Sequence, residues 1–122
     1  MTNYDDIDFS ALDALAEGEV VTHSLVRDIR LPSGKVLALI TLDNGRDHTR
    51  PNTFGPTTLV ELGETLDALA ARAASGEIQA VGVTGKQYIL AAGADLSDIS
   101  RVPSKEVARL VAQLGHKVLG KL

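Results

Sequence analysis

The most suggestive chemistry in this sequence is a stretch of backbone with almost no side chains. Ala91-Ala92-Gly93-Ala94 follows shortly after an apolar run, Ile78 to Thr84, that reads as a buried strand. Open α/β sheets bind ligands beyond the carboxyl ends of their strands. Small residues there let a ligand come close to main-chain N–H groups, as an oxyanion site requires. A tight turn uses the same composition, and the residues alone leave both readings open.

Side-chain chemistry has thinner support. No serine sits in a Gly-x-Ser-x-Gly elbow, and His23, His48 and His116 show no metal-type spacing, so no metal site is expected. His23 falls in a strand-like run and His116 on a helical one, where structural roles are expected. His48 lies in a polar loop and is expected to face solvent. Asp95 and Asp98 are three apart after a glycine, which suits a turn or helix cap better than an acid/base pair. Asp43 ends a strand. Arg46 and Arg50 flank His48 and could meet a phosphate or simply be solvated.

These groups need elements to position them. Met1 to Gly18 carries Leu12, Leu15 and Ala16 on one stripe and predicts a short helix or an ordered tail. Val20–Leu31 is rich in β-branched residues, Pro32-Ser33-Gly34-Lys35 supplies a turn, and Val36–Leu42 is apolar at every position but one. That pattern predicts an antiparallel hairpin whose second strand is central and covered on both sides. A polar loop, Asp43–Asn52, precedes a helix whose capping-box residues are expected to be Thr58 and Glu61. Leu59, Leu62, Leu66, Leu69 and Ala73 recur at helical intervals, and Gly76 is placed to end the helix. Helix and following strand make a βαβ unit with a parallel pair. The last helix should start at Ser104 after Pro103 and carry the stripe Val107, Leu110, Val111, Leu114, Val118 and Leu122. Lys105, Arg109, Lys117 and Lys121 look like its solvated face. A stripe running to the last residue without a capping glycine leads us to expect that the natural chain continues.

Composition narrows the function classes. The chain has 122 residues, 44% hydrophobic and 23% charged, which fits one globular domain. A net charge of −4 and 3% aromatics argue against nucleic acid, which needs a basic stripe or stacking platform. The absence of cysteine excludes disulfides and thiolate chemistry. The opening residues are acidic, and apolar runs reach only about five residues. No membrane span is therefore expected, and a cytoplasmic location is.

Two segments carry a family resemblance. Ala80-Val81-Gly82-Val83-Thr84-Gly85, followed by Ala91-Ala92-Gly93-Ala94-Asp95-Leu96, resembles the V-x-x-T-G … F-x-A-G-A-D-[IL] motif of the enoyl-CoA hydratase/isomerase (crotonase) family. Leu42-Asp43-Asn44 … Asn52-Thr53-Phe54 looks like its L-x-x-P … N-A-L segment, with an enlarged polar insert and Thr-Phe in place of Ala-Leu. The resemblance covers Val36 to Leu122. It is similar above all to the hydratase region of bacterial multifunctional fatty-acid oxidation proteins, which fuse it to a 3-hydroxyacyl-CoA dehydrogenase.

The resemblance implies an α/β fold, the N-terminal portion of a crotonase ββα superhelix. Residues 1–18 would be an extension and 19–122 a partial crotonase domain ending in a truncated helix. It implies addition of water to trans-2-enoyl-CoA in β-oxidation, with a CoA thioester as substrate, no separate cofactor, and a trimer-type homo-oligomer in the full-length parent. The N–H of Ala94 would be one oxyanion donor. Ala92 and Gly93 would line the CoA path, and Asp95, Leu96 and Ser97 would border the substrate. Asn52 and Phe54 would lie beside the CoA, with Arg50 near its phosphates. The second oxyanion donor and the two catalytic glutamates of the family match no segment here, so they are expected beyond Leu122 and this chain alone is expected to be inactive. Isomerase, hydrolase or decarboxylase relatives are alternatives within the family, and a stand-alone βαβ binding or scaffold domain is the alternative outside it.

Overall fold

In the computed structural model, which describes residues 3–95 and 104–122, the β-branched run after Val20 and the apolar run after Lys35 pair as expected. Strand β1 (His23–Arg30) and strand β2 (Val36–Asp43) are antiparallel, in a register from His23 opposite Asp43 to Arg30 opposite Val36. Gly34 closes the turn at φ 86°, a conformation open to glycine. Strand β3 (Ala80–Thr84) lies parallel to β2, from Leu37 opposite Ala80 to Thr41 opposite Thr84. The strand order is β1-β2-β3. With helices α1 (Phe9–Glu17), α2 (Pro56–Ala74) and α3 (Lys105–Leu119), the described residues form a small α/β domain with a three-stranded mixed sheet.

Strand β2 is central, but it is not buried on both sides. Alternate side chains of a strand point to opposite faces. Ala38, Ile40 and Leu42 face the helices and are at most 2% exposed, whereas Leu37, Leu39 and Thr41 on the other face are only half-buried. An unbroken apolar run shows that a strand can be covered twice, not that two layers exist to cover it. The helix-side face packs with Leu59, Leu62, Leu66 and Leu69 of α2, Leu12 and Leu15 of α1, and Leu110, Leu114 and Val118 of α3 in one core.

The start of α2 departs from the capping-box expectation. Its first residue is Pro56, two earlier than Thr58, because proline needs no donor at that position and presets the helical φ. The N-cap is Gly55, which has no side chain to offer. Glu19 supplies the cap from the segment before β1: its carboxylate accepts from the Thr57 N–H at 2.7 Å, the Thr58 N–H at 2.8 Å and the Thr58 hydroxyl at 2.6 Å. A Cβ on residue 55 would lie 2.4 Å from Glu19 Cδ, so glycine leaves the room this cap needs. Thr58 Oγ1 in turn accepts from the Thr22 N–H at 2.9 Å. Glu61, freed from capping, accepts from the Ser24 N–H at 2.8 Å and pairs with His23 at 3.0 Å. The far end of α2 follows expectation. Gly76 takes φ 81°, and the Gly76 and Glu77 N–H groups reach back to the Ala73 and Arg72 carbonyls as in a Schellman motif.

Helix α1 is formed, with Asp8 as its cap. Helix α3 begins at N-cap Ser104 as expected, but Gly120 caps its end and Leu122 is 65% exposed, so the stripe is buried only through Val118. Two of its lysines are not merely solvated. Lys117 pairs with Asp6 at 2.9 Å, and Lys121 pairs with Asp67 of α2, so both anchor α3 to its neighbours. Among the described residues no helix is long and apolar enough to cross a membrane.

Two predictions follow from this packing. Glu19→Ala strips two backbone donors of their cap and is expected to lower unfolding stability by about 2 kcal/mol in a urea titration. Arg72 hydrogen-bonds Asp28 and holds its carboxyl below its ordinary 3.8. A lowered folded value means that this contribution is complete above the unfolded value and is lost as pH falls through the folded one. Asp28→Asn should therefore flatten the acid limb of the stability curve below pH 3.8 while leaving the slope near neutrality unchanged.

Candidate functional site

Strand β3 ends at Thr84 and the chain turns sharply at Gly85. A Cβ there would meet the Ile89 carbonyl oxygen at 2.1 Å, so only glycine fits. The returning segment then runs beside residues 52–54. The Ala92 N–H donates to the Asn52 carbonyl at 2.8 Å, and the Phe54 N–H donates to the Gly93 carbonyl at 2.8 Å. Gly93 sits at φ 79°, in the left-handed region that favours glycine. Two backbone bonds and a glycine thus fix the path of residues 92–94. The Ala94 N–H follows directly, and among the described residues it has no acceptor. Of the small-residue run, Ala92 spends its donor on the fold, whereas the N–H groups of Ala91, Gly93 and Ala94 have no acceptor among the described residues.

Asn52, expected beside the ligand, is closed off instead. It is 1% exposed, and its amide nitrogen donates to the Leu42 carbonyl at 2.7 Å and the Leu90 carbonyl at 2.9 Å. Its side-chain oxygen accepts from the Asn44 N–H at 3.0 Å. The side chain therefore clamps the end of β2 to the loop carrying Ala94. Lys86, which the sequence reading passes over, organises the polar insert: its ammonium donates to the Arg46 carbonyl at 2.8 Å, the Arg50 carbonyl at 2.6 Å and the Asn44 side chain. The only sequence signal for it is a lone cation next to the conspicuous glycine Gly85. Asp43 accepts from the Gly45 N–H at 2.8 Å, as a turn former does.

Ala94 stands between two clefts. One, of about 490 Å³, brings together Arg46, Arg50, Thr53, Ala92, Ala94 and Asp95. Arg46 and Arg50 are both exposed, so their charged ends are available to an anion. The other, of about 640 Å³, is mostly apolar and lies between α1 and α3, with Leu15, Phe54, Pro56, Val111 and Ala112 on its walls, Ser104 and Lys105 as its polar members, and Ala94 in its lining. Of the expected site residues, Arg50, Ala92, Ala94 and Asp95 line the first cleft and Phe54 and Ala94 the second, while Leu96, Ser97 and Asp98 lie outside the described residues. His48 packs edge-on against Tyr88, His23 pairs with Glu61, and His116 is exposed on α3. No group of residues suited to hold a metal ion occurs among the described residues.

Comparison of the chain with protein-family models, curated proteins and solved structures finds no match.

If the buried amide of Asn52 is a clamp, its loss costs stability rather than affinity alone. Asn52→Ala leaves two carbonyls and one N–H without their partner and is expected to destabilise the domain by about 3 kcal/mol. Urea unfolding measures this. An unchanged midpoint would return Asn52 to a ligand-facing role.

Proposed function

We propose that this chain is the N-terminal part of a crotonase-type acyl-CoA enzyme, an enoyl-CoA hydratase, and that it contributes the backbone half of the active site. The observation that carries the reading is the open Ala94 N–H at the junction of an arginine-bearing cleft and an apolar one. A CoA thioester has the same three parts in the same order: phosphates, a carbonyl that becomes an enolate, and an acyl chain. The order hairpin, helix, parallel strand is consistent with the first turn of a ββα superhelix.

In this reading Arg46 and Arg50 hold the phosphates through charge-assisted hydrogen bonds. The thioester oxygen sits at the Ala94 N–H, where an aligned dipole stabilises the negative charge that develops on it. Gly93 and the two bonds to Asn52 and Phe54 keep that dipole from reorienting during the reaction. Water then adds syn across the double bond of a trans-2-enoyl-CoA. The second oxyanion donor and the glutamates that activate water and deliver the proton match no segment of these 122 residues. Loss of one donor alone costs roughly 10²–10³ in rate, so this chain binds CoA thioesters without hydrating them.

Titration with CoA, followed by backbone-amide NMR, tests the reading. The amides of Gly93, Ala94 and Asp95 are expected to shift, and Arg50→Ala should weaken binding about tenfold, or ~1.4 kcal/mol. Absence of binding at millimolar CoA would exclude it in favour of a βαβ scaffold in which Ala91–Ala94 is only a turn.

A further inference from the structure

We infer that helix α1, which lies outside the stretch carrying the family resemblance, forms a wall of the acyl site and limits acyl-chain length through Leu15. This rests on the acyl-CoA reading above. The apolar cleft opens at Ala94, the group assigned to the thioester, so whatever the thioester carries continues into it. Its walls come from three places: Phe54 and Pro56 at the start of α2, Ala108, Val111 and Ala112 on α3, and Leu15 on α1. Leu15 is 3% exposed and belongs to the core, so it is a fixed surface rather than a mobile side chain.

Helix α1 is held in that position along its length and beyond its C-terminal end. Leu12, 1% exposed, packs into the core beside Leu15. Two residues beyond the helix, the Glu19 carboxylate caps α2 and fixes the segment that leads out of α1. The small residues lie on the opposite wall. Ala108 and Ala112 are one helical turn apart and exposed, so α3 offers width where α1 offers a stop. A cleft with one fixed bulky wall and one wall of alanines suits a linear acyl chain longer than butyryl. Ser104 and Lys105 are the polar members of a lining that is otherwise apolar or small, so most of the surface suits an acyl chain rather than a polar substituent.

Binding of CoA, butyryl-CoA, octanoyl-CoA and dodecanoyl-CoA to the full chain, measured by calorimetry, tests this. Each methylene buried should tighten binding roughly fourfold, so octanoyl-CoA is expected to bind at least tenfold more tightly than butyryl-CoA, with no further gain for dodecanoyl-CoA. Leu15→Ala should extend the gain to dodecanoyl-CoA. Ala112→Leu fills the cleft from the exposed helix face, without disturbing the core, and should abolish the octanoyl preference. If CoA binds but chain length has no effect, or neither variant changes the length preference, the assignment of α1 is overturned and the acyl-CoA reading stands. If CoA itself does not bind, both fall.

Discussion

The buried carboxamide of Asn52 is the constraint on which the site depends. A primary amide offers donors and an acceptor in one plane, and here they reach three backbone groups from strand β2 and two loops: the carbonyls of Leu42 and Leu90 and the N–H of Asn44. Burying those groups without partners would be costly, so the loops have one favourable arrangement. Through its own carbonyl, Asn52 also accepts the Ala92 N–H. The end of β2, the polar insert and the small-residue turn are thereby locked together, and the Ala94 N–H is aimed as a consequence. Asparagine is required because an aspartate could not donate to the two carbonyls.

A second carboxylate plays the corresponding part at the start of α2. Glu19 comes from a segment distant in sequence and takes the place of a local cap, drawing α1 and the strand-entry residue Thr22 onto the helix. The helix N-terminus favours negative charge there, so the same contact that satisfies the donors also complements the dipole. Its structural effect exceeds capping. It places Leu15 opposite α3 and so shapes the apolar cleft. Lys86 does comparable work on the polar insert, gathering carbonyls of Arg46 and Arg50 under one ammonium while the guanidinium groups stay exposed. The basic cleft is thus built by a lysine that does not line it.

Much of the architecture was legible in the chain. The hairpin, the parallel pair, the boundaries set by Gly34, Gly76 and Ser104, and the apolar stripes of α2 and α3 all follow from period and turn chemistry, which are local properties. Three readings failed for one shared reason, that partners distant in sequence are invisible to local rules. Thr58 matched a capping box but is occupied by Glu19. Lys117 and Lys121 matched a solvated face but are held by Asp6 and Asp67. Strand β2 is apolar enough for two covering layers, and among the described residues helices cover one side only.

The same division holds at the site. The residue order by itself determined that a glycine-centred run of small residues follows a strand, because composition and spacing are sufficient to state it. That this strand is exposed or half-buried throughout, and not buried as its apolar run suggests, was decided by its place at the edge of the sheet. Tertiary structure decided which backbone donor in that run is taken, since Ala92 gives its N–H to Asn52 while those of Ala91, Gly93 and Ala94 have no acceptor among the described residues. It also decided that Asn52 faces inward, and that a cleft with two arginines and a mostly apolar cleft meet at one residue. The bonds that join Asn52 to Leu90 and Ala92, and Phe54 to Gly93, link segments 38 or more residues apart, and no short window of sequence contains both partners.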